Sequence, residues 1–322
     1  DKEDWQHASV AALKGGVTTV FDMPNTKPAT TTQERLQNKF VIIDGQLAEV
    51  DLPLRYKLFF GSDKNQFHEI VKVKADIAGI KVFMGASTGD LLMDDESSLH
   101  AVYALAKAHG LLIALHAEDE LIIRNNAAKY ADQTDFKYHS IIREPQAAVK
   151  AVQLVIELAE LYQVPSYILH VSTQGELDLV KAAKARGVMV YIETCPHYLF
   201  LDDSQYSNLN GRGKMNPPLR SKIDQDVLWQ ALNEGVIDTI GSDHAPHQLN
   251  EKEQPLCKCP SGVPGIETTL PLLITAWREN KLSLAKLVAL THDNPQQIFN
   301  LPANDDLVLV DIVNYRELND AQ

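Results

Sequence analysis

Leu111-Leu112-Ile113-Ala114-Leu115-His116 is a short apolar run that ends in a histidine. Runs of this length are typical of buried β-strands. Three further apolar runs carry a polar residue at or near their ends, namely Lys81, His170 and Asp243. A segment with helical periodicity separates each run from the next, so the pattern predicts alternating β and α units. Such units build a parallel sheet.

Counting these runs along the whole chain gives seven predicted strands. They span residues 17–22, 55–60, 79–84, 111–116, 167–171, 188–193 and 238–242. The best-marked helices are predicted over residues 3–14, 98–108, 144–162 and 174–186. Ser172-Thr173 precedes the last of these helices and is its predicted N-cap.

These elements predict an α/β protein with a (β/α)8 TIM barrel that is one strand short. In a barrel each helix follows a strand, yet this chain opens on the helix at residues 3–14. We therefore expect the first barrel strand to lie upstream of Asp1 and to be missing from the sequence. The alternative is an open seven-stranded sheet. In a barrel the carboxyl ends of all strands face one mouth, so polar residues far apart in sequence meet there.

The predicted domains are unequal in size. The barrel is expected to occupy residues 1–298, and residues 299–322 to be the remnant of a small C-terminal β-domain, because the run 306–311 predicts one more strand. Residues 250–264 contain three prolines and a glycine and form the clearest long loop. Because this loop follows the strand that carries Asp243, it could act as a lid over the mouth.

Composition excludes several classes of protein. The chain has 322 residues, 45% of them hydrophobic, and such a barrel typically needs roughly 250 residues. A net charge of −13 without a Lys/Arg cluster argues against nucleic acid as a partner. No apolar run approaches the roughly 20 residues of a membrane span, which argues against a membrane partner. Three cysteines are too few for a disulfide framework and predict a cytoplasmic location.

The polar residues at the strand ends predict a metal centre. Neutral imidazole suits zinc and similar ions, and carboxylate is a harder ligand that can also accept a proton. His116, His170 and Asp243 supply this set. A bound metal would lower the pKa of its water toward about 7, which is the chemistry of hydrolysis or its reverse. Lys81 is either a solvated lysine or, after carboxylation by CO2, a carbamate that bridges two ions.

Six segments together resemble the amidohydrolase superfamily and, within it, the dihydroorotases. They are Asp22-Met23-Pro24-Asn25-Thr26, Gly79-Ile80-Lys81-Val82-Phe83-Met84, Leu115-His116-Ala117-Glu118, His170-Val171-Ser172-Thr173, Lys214-Met215-Asn216-Pro217-Pro218-Leu219-Arg220 and Ser242-Asp243-His244-Ala245-Pro246-His247. The histidine and lysine segments are shared with dihydropyrimidinases and allantoinases. The segments around Asn216 and Asp243 distinguish the dihydroorotases.

The resemblance implies a distorted barrel with a small flanking β-domain. The implied activity is the reversible cyclisation of N-carbamoyl-L-aspartate to L-dihydroorotate in pyrimidine biosynthesis. By the same resemblance, Lys81 as its carbamate bridges two zinc ions, although ligand type does not separate zinc from other divalent ions. His116 and His170 complete the more exposed ion. Asp243 ligates the buried ion and acts as general base and acid.

The resemblance also implies ligands for a small-molecule substrate. Asn25 and His247 are expected to hold its carboxylate, and Asn216, Pro264 and Gly265 to meet its ring amide. A homo-oligomer, most simply a dimer, is expected from base rates alone. Association with an aspartate transcarbamylase is a further expected partnership.

One family motif is absent. Dihydroorotases carry a His-x-His-x-Arg motif on the first strand, and this sequence has none. Either that strand lies upstream of Asp1, which we expect, or the protein is a catalytically silent subunit that scaffolds a transcarbamylase. A dihydropyrimidinase or allantoinase activity is the other alternative.

Four residues keep two interpretations each. Asn25 either binds substrate or shapes its turn, since asparagine tolerates turn geometry. Arg220 is expected to anchor a loop through a salt bridge rather than to contact substrate. His197 and His244 either support the metal centre or pack as ordinary structural residues.

Overall fold

Seven parallel strands form the centre of the computed structural model, which describes residues 2–85 and 91–314. The strands are β1 (Thr19–Asp22), β2 (Arg55–Gly61), β3 (Gly79–Phe83), β4 (Ile113–His116), β5 (Ser166–Ile168), β6 (Val190–Thr194) and β7 (Thr239–Ile240). All seven predicted strands are confirmed, and their ends shift by at most three residues. Their order in the sheet follows their order in the chain, and every neighbouring pair is parallel.

The sheet curls into a half-barrel, which confirms the predicted TIM-barrel class. Strands β1 and β7 are its two edges, and no other strand of the described residues pairs with their free sides. An eighth strand would have to lie between these edges.

Helices follow the strands in the manner of alternating β and α units. They are α1 (Trp5–Lys14), α2 (Gln33–Val50), α3 (Phe67–Val73), α4 (Glu96–His109), α5 (Glu120–Lys129), α6 (Tyr138–Ile142), α7 (Pro145–Tyr162), α8 (Gln174–Ala185), α9 (Pro196–Phe200), α10 (Tyr206–Leu209), α11 (Lys222–Glu234), α12 (Leu249–Lys252), α13 (Thr269–Arg278), α14 (Leu284–Val288) and α15 (Asn294–Ile298). Short 3-10 turns at Asp203–Gln205 and Asn210–Gly213 and a π turn at Ala289–Asp293 complete the helical structure. The four best-marked predicted helices are confirmed as α1, α4, α7 and α8.

The two faces of the strands build two cores. Alternate residues of a strand point to opposite sides of a sheet. The larger core packs the outer face against the helices and includes Ile80, Val82, Ile113 and Leu115. A smaller cluster fills the inner face and contains Phe59, Ala114, Tyr167 and Leu169. Lys81 is the partner of Ala114 across β3 and β4, and it therefore faces inward with that smaller cluster.

A capping box fixes the start of α8 and confirms the predicted cap. The Thr173 hydroxyl accepts a hydrogen bond from the Glu176 backbone N–H at 3.2 Å. The Glu176 carboxylate accepts in return from the Thr173 backbone N–H at 2.9 Å and from that of Ser172 at 3.1 Å. Both exchanges satisfy donors that a helix N-terminus leaves unpaired. The cap therefore also fixes the chain that leads out of His170.

The predicted strand at residues 306–311 is wrong. Residues 302–314 form neither strand nor helix. Val308 and Val310 nevertheless line the central cavity, and Asp306 makes an ion pair with Arg55 at the start of β2. Residues 315–322 lie outside the described residues, so the small C-terminal β-domain stays a prediction.

None of the helices in residues 2–85 and 91–314 is long and apolar enough to cross a membrane.

Replacing the capping residue of α8 tests how much the capping box stabilises the fold. Thr173→Ala should lower the free energy of unfolding by about 1 kcal/mol, because one helix N–H loses its partner. Urea unfolding followed by circular dichroism measures this difference. Thr275→Ala is the control, since Thr275 is exposed and its hydroxyl bonds only to Pro271 within α13. The control should change stability by less than about 0.5 kcal/mol, and equal losses in both variants would contradict the prediction.

Candidate metal centre and substrate cavity

A cavity of about 1630 Å³ lies at the carboxyl ends of the strands and extends along the gap between β1 and β7. All four predicted metal ligands line it: Lys81, His116, His170 and Asp243. Lys81 comes from the middle of β3 and His116 from the end of β4, whereas His170 and Asp243 come from the segments that follow β5 and β7. The parallel sheet therefore brings together residues that are far apart in sequence.

Lys81 is buried, which rules out a solvated lysine. Lys81 as a whole residue is only 2% exposed. The Nζ atom donates to the Val82 carbonyl at 3.1 Å and lies 3.9 Å from the centre of the Phe83 ring. Burial lowers the pKa of Lys81 to about 7, although the carboxylates of Asp243 and Glu193 oppose this shift. A substantial fraction of the amine is therefore neutral at neutral pH.

His116 and His170 face each other through their ring nitrogens. His116 Nδ1 lies 3.0 Å from His170 Nε2. The other nitrogen of His116, Nε2, lies 3.0 Å from Glu118 Oε2. A carboxylate on the far nitrogen is the usual second partner of a metal-binding histidine, because it fixes the tautomer and the ring orientation.

The two histidines by themselves could hold one ion, and a second ion would need further oxygen donors. The facing nitrogens of His116 and His170 are as close as two ligands of one ion. His170 Nδ1 is buried and has no hydrogen-bond partner among residues 2–85 and 91–314. In the part of the chain that the structure describes, no three His, Cys, Asp or Glu side chains by themselves form a metal-binding group. A carbamate on Lys81 would add the oxygen donors that this set lacks.

Asp243 and Glu193 are the two cavity carboxylates whose charges act on Lys81. Burial raises the pKa of Asp243 to about 7, against the positive charges of Lys2 and Lys81. Burial likewise raises the pKa of Glu193 to about 7, although the Tyr167 hydroxyl, which donates to Glu193 Oε2 at 2.8 Å, opposes the shift. Sequence reasoning missed Glu193. Its position as the last residue of a predicted strand was the signal that could have found it.

Glu118, Arg143 and Arg220 form a buried ionic cluster next to the two histidines. Sequence reasoning missed Glu118 and Arg143. Glu118 accepts from Arg143 Nε at 3.0 Å. Arg220 lies 3.9 Å from the same carboxylate and donates from Nε to Ser172 Oγ at 3.1 Å. Burial by itself would raise the pKa of Glu118, but Arg143 and His116 hold it well below its usual range. The expected loop-anchoring salt bridge of Arg220 is thus present.

Three of the predicted substrate ligands line the cavity: Asn25, Asn216 and His247. Asn216 Oδ1 is buried without a hydrogen-bond partner in the described residues. His247 Nε2 lies 3.2 Å from the Ser261 carbonyl, and burial lowers the pKa of His247.

The other two predicted ligands are not among the residues that line the cavity. Gly265 packs beneath it, because its backbone N–H donates to His244 Nδ1 at 3.0 Å and a side chain at this position would meet the Ser242 carbonyl at 2.6 Å. Pro264 directly precedes this tightly packed position. Their contact with the ring amide stays a prediction.

His244 and His197 have different surroundings in the structure. His244 Nε2 lies 2.8 Å from Glu3, so this histidine connects the start of the chain to the segment at Gly265. It is therefore a structural residue of the mouth. His197 Nε2 is buried and has no hydrogen-bond partner within the described part of the chain. Burial lowers the pKa of His197 to about 3, which keeps the ring neutral.

Comparison with known proteins places the chain in a family. The chain belongs to the amidohydrolase family, whose model matches residues 2–304. Within that family it is similar to dihydroorotases. It is 34% identical to the dihydroorotase of Methanosarcina acetivorans over 308 residues, which cover 93% of this chain and 64% of that protein. For the dihydroorotase of Halobacterium salinarum the identity is 34%, and the coverage is 99% and 74%.

Longer and structurally known relatives agree with this placement. The multifunctional protein CAD of Squalus acanthias is 33% identical over 95% of this chain, which covers 12% of CAD. The L-hydantoinase (dihydropyrimidinase) of Arthrobacter aurescens superposes with a TM-score of 0.86 at 29% identity, over 92% of this chain and 66% of that one. A dihydroorotase structure from Campylobacter jejuni, at a TM-score of 0.73 and 18% identity over 94% of this chain and 82% of that one, shares the fold. The chain spans about two thirds of the length of several of these relatives.

The Glu193 carboxylate occupies space that a side chain at position 241 would fill, and a substitution of Gly241 tests this packing. A methyl group on Gly241 would lie 2.2 Å from the Glu193 carboxyl carbon. Gly241→Ala should therefore lower the free energy of unfolding by about 1–3 kcal/mol through overpacking. Thermal and urea unfolding measure the change. In the matched control, Gly45→Ala, the new methyl group meets nothing within 4 Å, and stability should rise by about 0.5–1 kcal/mol because helix α2 gains an alanine. A Gly241→Ala variant as stable as the parent would refute this account of Glu193.

Proposed function

We propose that this chain is the catalytic barrel of a dihydroorotase, which interconverts N-carbamoyl-L-aspartate and L-dihydroorotate in pyrimidine biosynthesis. The observation that carries the proposal is the meeting of Lys81, His116, His170 and Asp243 on one cavity in a chain 34% identical to dihydroorotases. The reaction class is the opening and closing of a cyclic amide.

The proposed cofactor is a pair of divalent metal ions, most simply zinc, bridged by Lys81 as its carbamate. Carbamate formation joins the neutral amine nitrogen to the carbon of CO2 and releases one proton. Burial supports this step because it lowers the pKa of Lys81 to about 7 and so supplies neutral amine. His116 and His170 would complete the more exposed ion, and Asp243 would ligate the other. When bound, such ions supply a hydroxide nucleophile and polarise the amide carbonyl.

Asp243 is the proposed general base and acid. In hydrolysis it would accept a proton and deliver it to the leaving ring nitrogen, and in cyclisation the same steps run backward. A group that both accepts and donates works best with a pKa near the operating pH. Burial supports this role because it raises the pKa of Asp243 to about 7.

The substrate is proposed to lie between these groups and the opposite wall of the cavity. Asn25 and His247 would hold its carboxylate. Asn216 would accept a hydrogen bond from the ring amide, for which its unpartnered Oδ1 is available. Pro264 and Gly265, which are not among the residues that line the cavity, would support that amide only through the backbone. Fixing the ring in this way orients its carbonyl for attack.

A dihydropyrimidinase activity is the second candidate. Similarity to the Arthrobacter aurescens L-hydantoinase (dihydropyrimidinase) at a TM-score of 0.86 favours it. Both activities open a cyclic amide, and they differ in the carboxylate that only dihydroorotate carries. Residues that hold this carboxylate therefore decide between them.

The wider setting is also proposed. A cytoplasmic protein and a homodimer agree with the composition and with base rates. The similarity to part of CAD supports association with an aspartate transcarbamylase. A catalytically silent subunit would bind no metal, which the following measurement addresses.

Removing the proposed base tests the activity. The full-length protein should contain about two metal ions per chain and hydrolyse dihydroorotate, and Asp243→Ala should reduce kcat by at least about a hundredfold. Metal analysis and the absorbance change of dihydroorotate measure both quantities. Asp226→Ala is the control, because Asp226 is an exposed residue of α11 that pairs only with Lys222, and it should leave kcat unchanged.

Three other results would redirect the assignment. Metal with turnover of dihydrouracil but not of dihydroorotate would select the dihydropyrimidinase. Absence of metal and of turnover would select the silent subunit. Full activity in Asp243→Ala would remove Asp243 from the mechanism.

A further inference from the structure

Two lysines outside the proposed metal centre join a loop to the cavity wall. The proline-rich loop, residues 255–263, follows α12 and runs past the turn Asn210–Gly213. Lys252 precedes this loop and is 5% exposed. Lys214 follows the turn and is half-buried. Neither lysine has a role in the proposed reaction.

Lys252 holds three backbone carbonyls at once. Its Nζ donates to the carbonyls of Lys214 at 2.8 Å, Pro260 at 2.9 Å and Gly262 at 2.8 Å. An ammonium group has three donors, so each of them is used. Pro255 and Pro260 have no backbone N–H to donate, and Lys252 supplies donors to carbonyls of the loop that would otherwise need a partner.

Lys214 makes the reciprocal connection. Its Nζ donates to the carbonyls of Leu256 at 2.8 Å and Cys259 at 2.6 Å. Its own carbonyl also accepts from the Gly262 backbone N–H at 3.0 Å. The two segments are thus joined in both directions.

The two segments also touch directly at a glycine. A side chain on Gly211 would lie 1.9 Å from the Lys252 carbonyl oxygen. The Cys259 thiol lies against both backbones, 3.7 Å from the Gly211 carbonyl and 3.6 Å from that of Lys252. The backbones at Gly211 and Lys252 therefore lie closer together than a residue with a side chain at position 211 would allow.

This junction borders the residues proposed to bind substrate. Ser261 and Gly262 of the proline-rich loop line the same cavity as His247 and Asn216. The Ser261 carbonyl lies 3.2 Å from His247 Nε2. Asn216 is two residues from Lys214 in the chain. A shift of the loop would therefore move both walls of the substrate site.

We propose that Lys252 and Lys214 are positioning residues that hold the proline-rich loop as a fixed wall of the substrate cavity. It is an alternative to the lid that the sequence suggested for this loop, and its kinetic consequence rests on the proposed dihydroorotase function. A fixed wall contributes equally to the bound ground state and the transition state. Losing it should therefore raise KM and leave kcat nearly unchanged.

Lys252→Met in the full-length protein tests the proposal, with Lys258→Met as the matched control. Lys258 lies in the same loop and is exposed. Because hydrogen bonds to a charged group are lost, Lys252→Met should raise KM for dihydroorotate about tenfold to a hundredfold, with kcat within about threefold of the parent. Cleavage after the exposed Glu253 by a glutamate-specific protease should become at least about tenfold faster. Lys258→Met should change neither quantity.

Lys214→Met is the second variant, and it answers the question if Lys252→Met does not fold. It removes two carbonyl contacts and leaves those of Lys252 in place. An unchanged KM, or a kcat that falls while KM stays constant, would overturn the proposal. If the parent protein does not turn over dihydroorotate, the proposed function fails, and the protease comparison alone then decides whether these lysines fix the loop.

Discussion

The burial of Lys81 inside the curled sheet is the constraint on which the site depends. Taking an ammonium group out of water is costly unless a partner compensates it or the group becomes neutral. The compensating charges are those of Asp243 and Glu193, which oppose the loss of the lysine proton. Glu193 in turn occupies space that only a glycine at position 241 leaves open. The inner face of the barrel is therefore a set of mutually dependent groups rather than four independent candidate ligands.

A second layer of buried charge connects the loops that carry the histidines. Glu118 follows β4, and Ser172 follows β5. Arg143 and Arg220 span the distance between them, through Glu118 on one side and the Ser172 hydroxyl on the other. Breaking a buried ion pair is more destabilising than replacing the whole pair, because it leaves one charge uncompensated. The cluster therefore behaves as a unit, and it couples the orientation of His116 to the path of the chain after His170.

The sequence predicted the strands well because apolar runs and helical periodicity both reflect burial. It also predicted the meeting of Lys81, His116, His170 and Asp243, since a parallel sheet directs its carboxyl ends to one mouth. The run at residues 306–311 failed as a strand because such a pattern describes a chain that has a pairing partner, and the described residues offer this segment none. The carbonyl contacts of Lys252 could not be predicted from the sequence either, because every residue has a backbone carbonyl and the sequence does not indicate which ones a lysine will meet.

Backbone strain explains how the two histidines reach the same cavity by different routes. In β4, Ala114 lies in the inner cluster, so simple alternation also directs His116 inward. In β5, Tyr167 and Leu169 lie in the inner cluster, so continued alternation would direct His170 outward. His170 instead has a φ of 42° and lines the cavity directly after Leu169.

Left-handed backbone at a residue with a side chain costs roughly 1–3 kcal/mol and persists only where the surroundings impose it. The capping box of α8 and the Arg220 contact to Ser172 are those surroundings, because they fix the chain within three residues of His170. Asp243, with a φ of 43°, departs from regular strand geometry after β7 in the same way. At His170 the strain therefore lies at a candidate ligand that alternation alone does not bring to the mouth, while His116, which needs no such departure, has no positive φ.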